Sequence, residues 1–207
     1  IRILLRHPEA EIKVITSRSN AGKSISDVFP KFYGVPLFFS APDVDQIAAE
    51  CDAAFLALPH GLASEYAMPL IEKGVRVFDI SADFRLKSTV KYQEYYGKEH
   101  PAPELLKEAV YGQPERYREQ IRNARFVACP GCYPTSIILA TAPLLQAGLV
   151  KPEDIIVASM SGVSGAGRKV DLPYIFPECN ESVRAYGVVG HRHLPEIEQE
   201  LAFAAAV

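Results

Sequence analysis

Cys51-Asp52-Ala53-Ala54-Phe55-Leu56-Ala57-Leu58 is a mostly apolar run that stops at Pro59-His60-Gly61. Ala63 to Lys73 follows with helical spacing and ends on Gly74. Val75 to Ile80 is apolar again and runs into the polar turn Ser81-Ala82-Asp83-Phe84-Arg85. An apolar run with so little polar alternation fits a strand buried on both faces. Strand, helix and strand joined by tight turns are the pattern of a parallel sheet with crossover helices. The expected fold class is therefore α/β.

Outward from this unit, Ile1 to Arg6 reads as the last turns of a helix, and Glu11 to Ile15 as a strand ending in Thr16-Ser17-Arg18-Ser19-Asn20. Residues 87–120 are polar, aromatic and Pro-containing. They read as an irregular excursion with a short helix at Ala102 to Ala109. Arg125 to Ala128 reads as a strand, Thr135 to Ala147 as an apolar helix kinked at Pro143, Asp154 to Ser159 as a strand and Leu194 to Val207 as a helix. A division near Cys132 is expected, giving units 1–131 and 132–207.

The chain has 207 residues with a formal net charge of -3, which leaves no electrostatic footprint for nucleic acid or an anionic membrane. No apolar run approaches the roughly 18 residues of a membrane span. Four cysteines in a chain of this length do not form a disulfide framework, so a reducing, cytoplasmic setting is expected. The opening Ile1-Arg2-Ile3-Leu4-Leu5-Arg6 carries no export-signal signature.

Four segments carry candidate chemistry. In Ala128-Cys129-Pro130-Gly131-Cys132-Tyr133-Pro134-Thr135, between a strand and an apolar helix, Cys132 faces unpaired N–H groups and the positive end of the helix dipole, which stabilise a thiolate. Burial as small apolar side chains is the competing reading of both cysteines. Cys129 and Cys132 also form a C-x-x-C pair, open to a redox reading or to half a zinc site completed by His191 and His193. The His-Arg-His spacing is unlike that of a closed zinc site, and no metal is expected. His191-Arg192-His193, just before Pro195 and Glu196, is dense enough for an anion or acid/base site. Ser161 to Lys169, with Ser164, Gly165 and Gly167, lets backbone N–H groups approach an anion or a flat ring. At the end of the first expected strand, Thr16, Ser17 and Arg18 stand where an acidic residue would select NAD, a set that suits a 2′-phosphate and hence NADP.

Pro130-Gly131-Cys132-Tyr133-Pro134-Thr135 resembles the nucleophile signature of the N-acetyl-gamma-glutamyl-phosphate reductase family, within the wider aspartate-semialdehyde dehydrogenase group. The resemblance extends over nearly the whole chain. It includes Thr16-Ser17-Arg18, Leu58-Pro59-His60-Gly61, Ser81 to Leu86, Tyr111-Gly112, the loop Ser161 to Arg168 and the run His191 to Ile197. It implies an NADP-binding Rossmann domain followed by a mixed α/β catalytic domain. The implied activity is NADPH-dependent reduction of N-acetyl-L-glutamyl 5-phosphate through a cysteine thioester, in arginine biosynthesis. A homo-oligomer, dimer or tetramer, is also implied.

Carried onto this sequence, the resemblance makes Cys132 the nucleophile and His193 the acid/base, with His191 its rival and Glu196 placed to orient the histidine. Thr16, Ser17 and Arg18 would hold the adenosine end of the cofactor, and Pro59 and His60 would lie over it. Ser164, Gly165 and Gly167 would approach the nicotinamide or the phosphates. Arg85, Arg168, His191 and Arg192 are the candidates to bind substrate phosphate or carboxylate. For Arg85, a salt bridge to Asp83 or Asp79 is the alternative. The family's first strand and glycine-rich turn have no counterpart here, and the later strands of the catalytic domain are also missing. The sequence is therefore expected to be part of a longer protein. The alternatives for function are a reductase of another acyl phosphate, aspartyl or carrier-linked, and a Cys/His metal-binding module.

Overall fold

The structure is a computed structural model and describes residues 1–188 and 190–206. A single helical turn at Leu4–Arg6 precedes β1 (Ile15–Thr16). Next comes α1 (Ile25–Val28), where the Ser24 and Asp27 side chains cap one another's backbone, and then β2 (Phe39–Ser40). β1 and β2 pair in parallel, Ile15 opposite Phe39, over a small core of Ile15, Ile25, Phe32 and Phe39. α2 (Val44–Glu50) starts on Asp43, whose carboxylate accepts from the N–H groups of Asp45 and Gln46.

β3 (Ala53–Leu56), α3 (Ala63–Glu72) and β4 (Arg76–Asp79) then form the expected unit. Gly74, at φ 84°, makes the turn out of α3 that a side chain would strain. α4 (Thr89–Tyr96), α5 (Leu105–Glu108), β5 (Val110–Tyr111) and α6 (Pro114–Asn123) lead to β6 (Phe126–Ala128). The remainder is α7 (Cys132–Gln146), α8 (Phe176–Cys179) and α9 (Leu194–Ala205), with no strand after β6 among the described residues.

Four strands form one parallel sheet in the order β3-β4-β6-β5. Leu70, Val77, Phe84, Leu106 and Phe126 form its main core, and Phe84 meets the Phe126 ring edge-on at 4.7 Å. A second core joins Tyr111 to Ile138, Ala142 and Leu145 of α7 and Ala204 of α9. α9 is tied further by Glu200, whose carboxylate accepts from Arg116 Nη1 at 2.8 Å and from the Tyr117 hydroxyl at 2.6 Å. All four strands run the same way, so the loops at 57–62, 80–88, 112–113 and 129–131 gather at the carboxyl edge. Ligands bind at that edge in open α/β sheets.

Several sequence expectations are corrected. The strand expected over Glu11 to Ile15 is confined to Ile15–Thr16. Cys51 to Leu58, expected to be buried on both faces, yields an edge strand paired only with β4 among the described residues, and Phe55 is 48% exposed. Asp154 to Ser159 is not a strand. It has no ladder partner among the described residues, Ile156 is 96% exposed, and strand-forming composition is realised only against a neighbour. In the excursion at 87–120 the expected short helix is present as α5, but the rest is not irregular: it also holds α4, β5 and the start of α6. α7 begins at Cys132, three residues before the expected start. The last helix extends to Ala205, and Val207 lies outside the described residues.

Candidate active site

β6 delivers the chain to the carboxyl edge, and Cys129 N–H continues its ladder by donating to Asp79 O at 2.8 Å. Gly131, in an extended conformation, caps α7, and Cys132 is the first residue of that 15-residue helix. Its thiol is free and exposed. Pro134 costs the first turn no hydrogen bond, and Thr135 Oγ1 donates to Gly131 O at 2.8 Å. A thiol here lies among N–H groups that have no helical acceptor.

His193 caps α9 and is 8% exposed. Its ring rests on Gly131, where a Cβ would lie 2.7 Å from Nε2 and 2.8 Å from Cε1. A side chain at that position would have to displace the imidazole, whose edge lies one residue from Cys132. His193 Nδ1 is buried and has no hydrogen-bond partner among the described residues. Burial, with Arg85, His191, Arg192 and His60 nearby, pushes the His193 pKa down to about 4. The imidazole is therefore neutral at pH 7.

His191 Nδ1 accepts from His193 N–H at 3.1 Å. Its ring stands perpendicular to Tyr133 at 5.3 Å and packs on Gly187 and Tyr186. The segment leads through a turn at Arg192 and His193 that brings the two imidazoles within 4.8 Å. Arg192 diverges from them, placing Nη1 3.3 Å from His60 Nε2. Burial and Arg192 lower the His60 pKa, and His60 Nδ1 accepts from Ala82 N–H at 3.2 Å.

Arg85 is 7% exposed, and its guanidinium is anchored within the protein: Nε donates to Cys129 O at 2.7 Å and Nη2 to Ile80 O at 2.9 Å. Its ion-pair partner is Glu196 at 3.5 Å, rather than Asp79 or Asp83. Glu196 does not bond the His193 ring as expected. Its Oε1 accepts from Gly131 N–H at 3.0 Å and from the Tyr111 hydroxyl at 2.8 Å. Asp83, fully buried, takes Gly61 N–H on both oxygens at 2.9 and 2.7 Å and the Tyr92 hydroxyl at 3.0 Å. His100 Nδ1 accepts from Ala102 N–H, so its Nε2–H donates to Asp83 O at 2.6 Å. This network fixes the loop carrying Pro59 and His60. Sequence reasoning gave no role to Tyr111, although Tyr111-Gly112 belongs to the resemblance, and it passed over Tyr92, whose only signal was an aromatic residue in a polar stretch.

At the carboxyl end of β1, Asn20 Nδ2 donates to Ser17 Oγ at 3.3 Å, and Lys23 Nζ donates to Asn20 Oδ1 at 3.3 Å. Arg18 Nη2 donates to the Tyr66 hydroxyl at 2.7 Å and lies 3.3 Å from the exposed Glu65. Residues 16–20 contain hydroxyls, an amide and a guanidinium but no carboxylate. That donor set fits a dinucleotide phosphorylated at the ribose 2′ position. Ser164, Gly165 and Gly167 lie on an exposed helical turn whose backbone hydrogen bonds are local. The Arg168 guanidinium sits over the Phe29 ring at 5.0 Å, beside the small β1–β2 core. Among the described residues no group of three or more His, Cys, Asp or Glu is placed to hold a metal ion. No helix among them is long and apolar enough to cross a membrane.

Two family models match the chain. The semialdehyde dehydrogenase NAD binding domain covers residues 1–124, and the semialdehyde dehydrogenase dimerisation domain covers residues 132–206. The chain is similar to N-acetyl-gamma-glutamyl-phosphate reductases from three bacteria. The Akkermansia muciniphila protein is 56% identical over 99% of this chain and 60% of its own length. The Saccharophagus degradans protein is 49% identical over 97% and 58%, and the Alkalilimnicola ehrlichii protein 51% over 99% and 60%. The chain thus spans about three fifths of the length of these relatives.

Proposed function

The chain belongs to the semialdehyde dehydrogenase family, and from that premise we propose that it carries the reaction centre of an NADPH-dependent N-acetyl-L-glutamyl 5-phosphate reductase. The observation that carries this reading is a free thiol at the first turn of α7, beside a buried neutral imidazole held against the preceding glycine. The relatives that match nearly all of this chain bear that reductase name.

In this mechanism His193 takes the Cys132 proton, and the thiolate attacks the acyl carbon of the substrate. The new S–C bond replaces the C–O bond to phosphate, which leaves and takes up a proton. The helix N-terminus favours both the thiolate and the oxyanion that forms beside it. NADPH, held by Thr16, Ser17 and Arg18 at its adenosine end, would supply hydride for reduction of the thioester, and His193 would give the resulting oxygen its proton to complete the thiohemiacetal. Collapse breaks the S–C bond, regenerates the thiolate and releases the semialdehyde, with His193 serving the oxygen as acid and base. The packing of His193 on Gly131 favours it over His191 for this role.

Thr16, Ser17 and Arg18 hold the adenosine end of the dinucleotide, Pro59 and His60 cover it, and Ser164, Gly165 and Gly167 approach its nicotinamide end or phosphates. Arg192, Arg168 and His191 serve the substrate anions. Arg85, buried and anchored to Cys129 and Ile80, acts on the charge of the site more than on the substrate directly. The cofactor-binding and catalytic units divide at residues 131 and 132. The protein works as a homo-oligomer in the cytoplasm, in arginine biosynthesis.

The test is reduction of N-acetyl-L-glutamyl phosphate with NADPH by the purified protein. Cys132→Ser abolishes turnover and Cys129→Ser retains much of it. Equal loss in the two variants, or reduction of aspartyl phosphate alone, contradicts the reading.

A further inference from the structure

We propose that Glu196 is the positioning residue that sets the Cys132 thiol and the His193 imidazole relative to each other. The inference rests on the reading of Cys132 and His193 given above. Glu196 is 1% exposed, and sequence places it 65 residues from the turn it binds. Its Oε1 holds the backbone N–H of Gly131, the residue before the nucleophile, at 3.0 Å. Three residues before Glu196, at the start of the same helix, His193 lays its ring on the α-carbon of that same glycine. Gly131 is therefore clamped from two sides by one helix, by a carboxylate on its nitrogen and an imidazole on its carbon.

The other contacts make the clamp rigid. The Tyr111 hydroxyl from β5 donates to the same oxygen at 2.8 Å, and Arg85 pairs with Oε2 while its Nε holds Cys129 O. Thus β5, the turn after β4, the turn after β6 and α9 all converge on one side chain. A buried carboxylate is retained at such a place only with its lone pairs satisfied, and here both oxygens have partners. A displacement of about 1 Å between reacting groups costs roughly 100-fold in rate, so a residue that bridges the two carriers of the reaction bears on turnover without touching substrate.

Reach and charge are separated by two variants. Glu196→Gln keeps an oxygen in place for Gly131 N–H and Tyr111 O–H but loses the charge. Glu196→Asp keeps the charge and withdraws it by one methylene. The readouts are kcat and KM with N-acetyl-L-glutamyl phosphate and, without substrate, the pH profile of Cys132 alkylation by iodoacetamide. The expected result is Glu196→Gln within about 3-fold of wild type, and Glu196→Asp down roughly 100-fold in kcat with little change in KM and an altered alkylation profile. Equal activity of Glu196→Asp and wild type, or equal losses in both variants, overturns the proposal. Should Glu196→Asp fail to melt cooperatively, amide exchange in the wild type decides. Slow exchange at Gly131 is expected, and exchange as fast as in an exposed loop overturns the clamp. If Cys132→Ser retains turnover, the underlying reading fails. If Cys132→Ser is inactive and Glu196→Asp is unimpaired, only this inference fails.

Discussion

The imidazole of His193 lies so close over Gly131 that a single methyl group there would come within 2.7 Å of Nε2. Gly131→Ala must push the ring away from the Cys132 turn or shift the turn itself. The expected outcome is a fall in kcat of about tenfold or more with substrate KM changed far less, since substrate contacts are not altered. Steady-state kinetics check this, and an unimpaired kcat would show that the ring position does not matter.

Asp83 is the buried hub under the Pro59-His60-Gly61 loop. Asp83→Ala leaves the Gly61 N–H and the Tyr92 hydroxyl without their acceptor. Bonds to a charged group contribute roughly 1.5–3 kcal/mol each, so a loss of about 3 kcal/mol is expected in urea unfolding. A loss below about 1 kcal/mol would mean that the loop is held by other contacts.

The acid side of the stability profile follows from the histidine. Its ordinary pKa is 6.5 and its folded value is about 4. Between these values the unfolded chain binds a proton that the folded chain refuses. This contribution is fully present above pH 6.5 and is lost as pH falls toward 4. His60, His100 and His191 are also lowered, chiefly by burial, and act with the same sign. Asp79 and Glu196 are raised by burial and act with the opposite sign, favouring the fold as pH falls. The difference between wild type and His193→Gln isolates the one group. From pH 6.5 to 4 the wild type should lose more stability than the variant, by at most about 3 kcal/mol. Parallel profiles would show that His193 titrates normally.

Arg18 tests the cofactor assignment. Its guanidinium is exposed and, among the described residues, bonded only to Tyr66 and Glu65. Arg18→Ala should raise KM for NADPH about tenfold or more and leave KM for NADH nearly unchanged, because only the former carries the 2′-phosphate. Equal effects on both would place the adenosine end elsewhere.

The sheet was legible where local pattern is decisive. The apolar runs ending at Leu58 and Ile80 flank a helix closed by Gly74, and the strand at Phe126 leads directly into the Cys132 turn. α4 had its signals in Ser88 at the start and Gly97 at φ 69°, but a polar, aromatic composition masked them. Asp154 to Ser159 has the composition of a strand and no neighbour to pair with among the described residues, which no local pattern reveals. Residue type and position singled out Cys132 and the two histidines as candidates, and the resemblance, rather than spacing, made Cys132 the nucleophile. The role of Glu196 was not, because proximity in sequence pointed to His193 while folding brought Gly131 to its carboxylate.

The central claim is that Cys132 forms a covalent acyl intermediate. Mixing the protein with N-acetyl-L-glutamyl phosphate in the absence of NADPH, followed by rapid acid quench and peptide mass analysis, tests it most directly. The account predicts a burst of phosphate approaching one equivalent per chain and an N-acetylglutamyl adduct on the peptide containing Cys132. A protein that turns over with NADPH yet gives no burst, or carries the adduct on another residue, would contradict it.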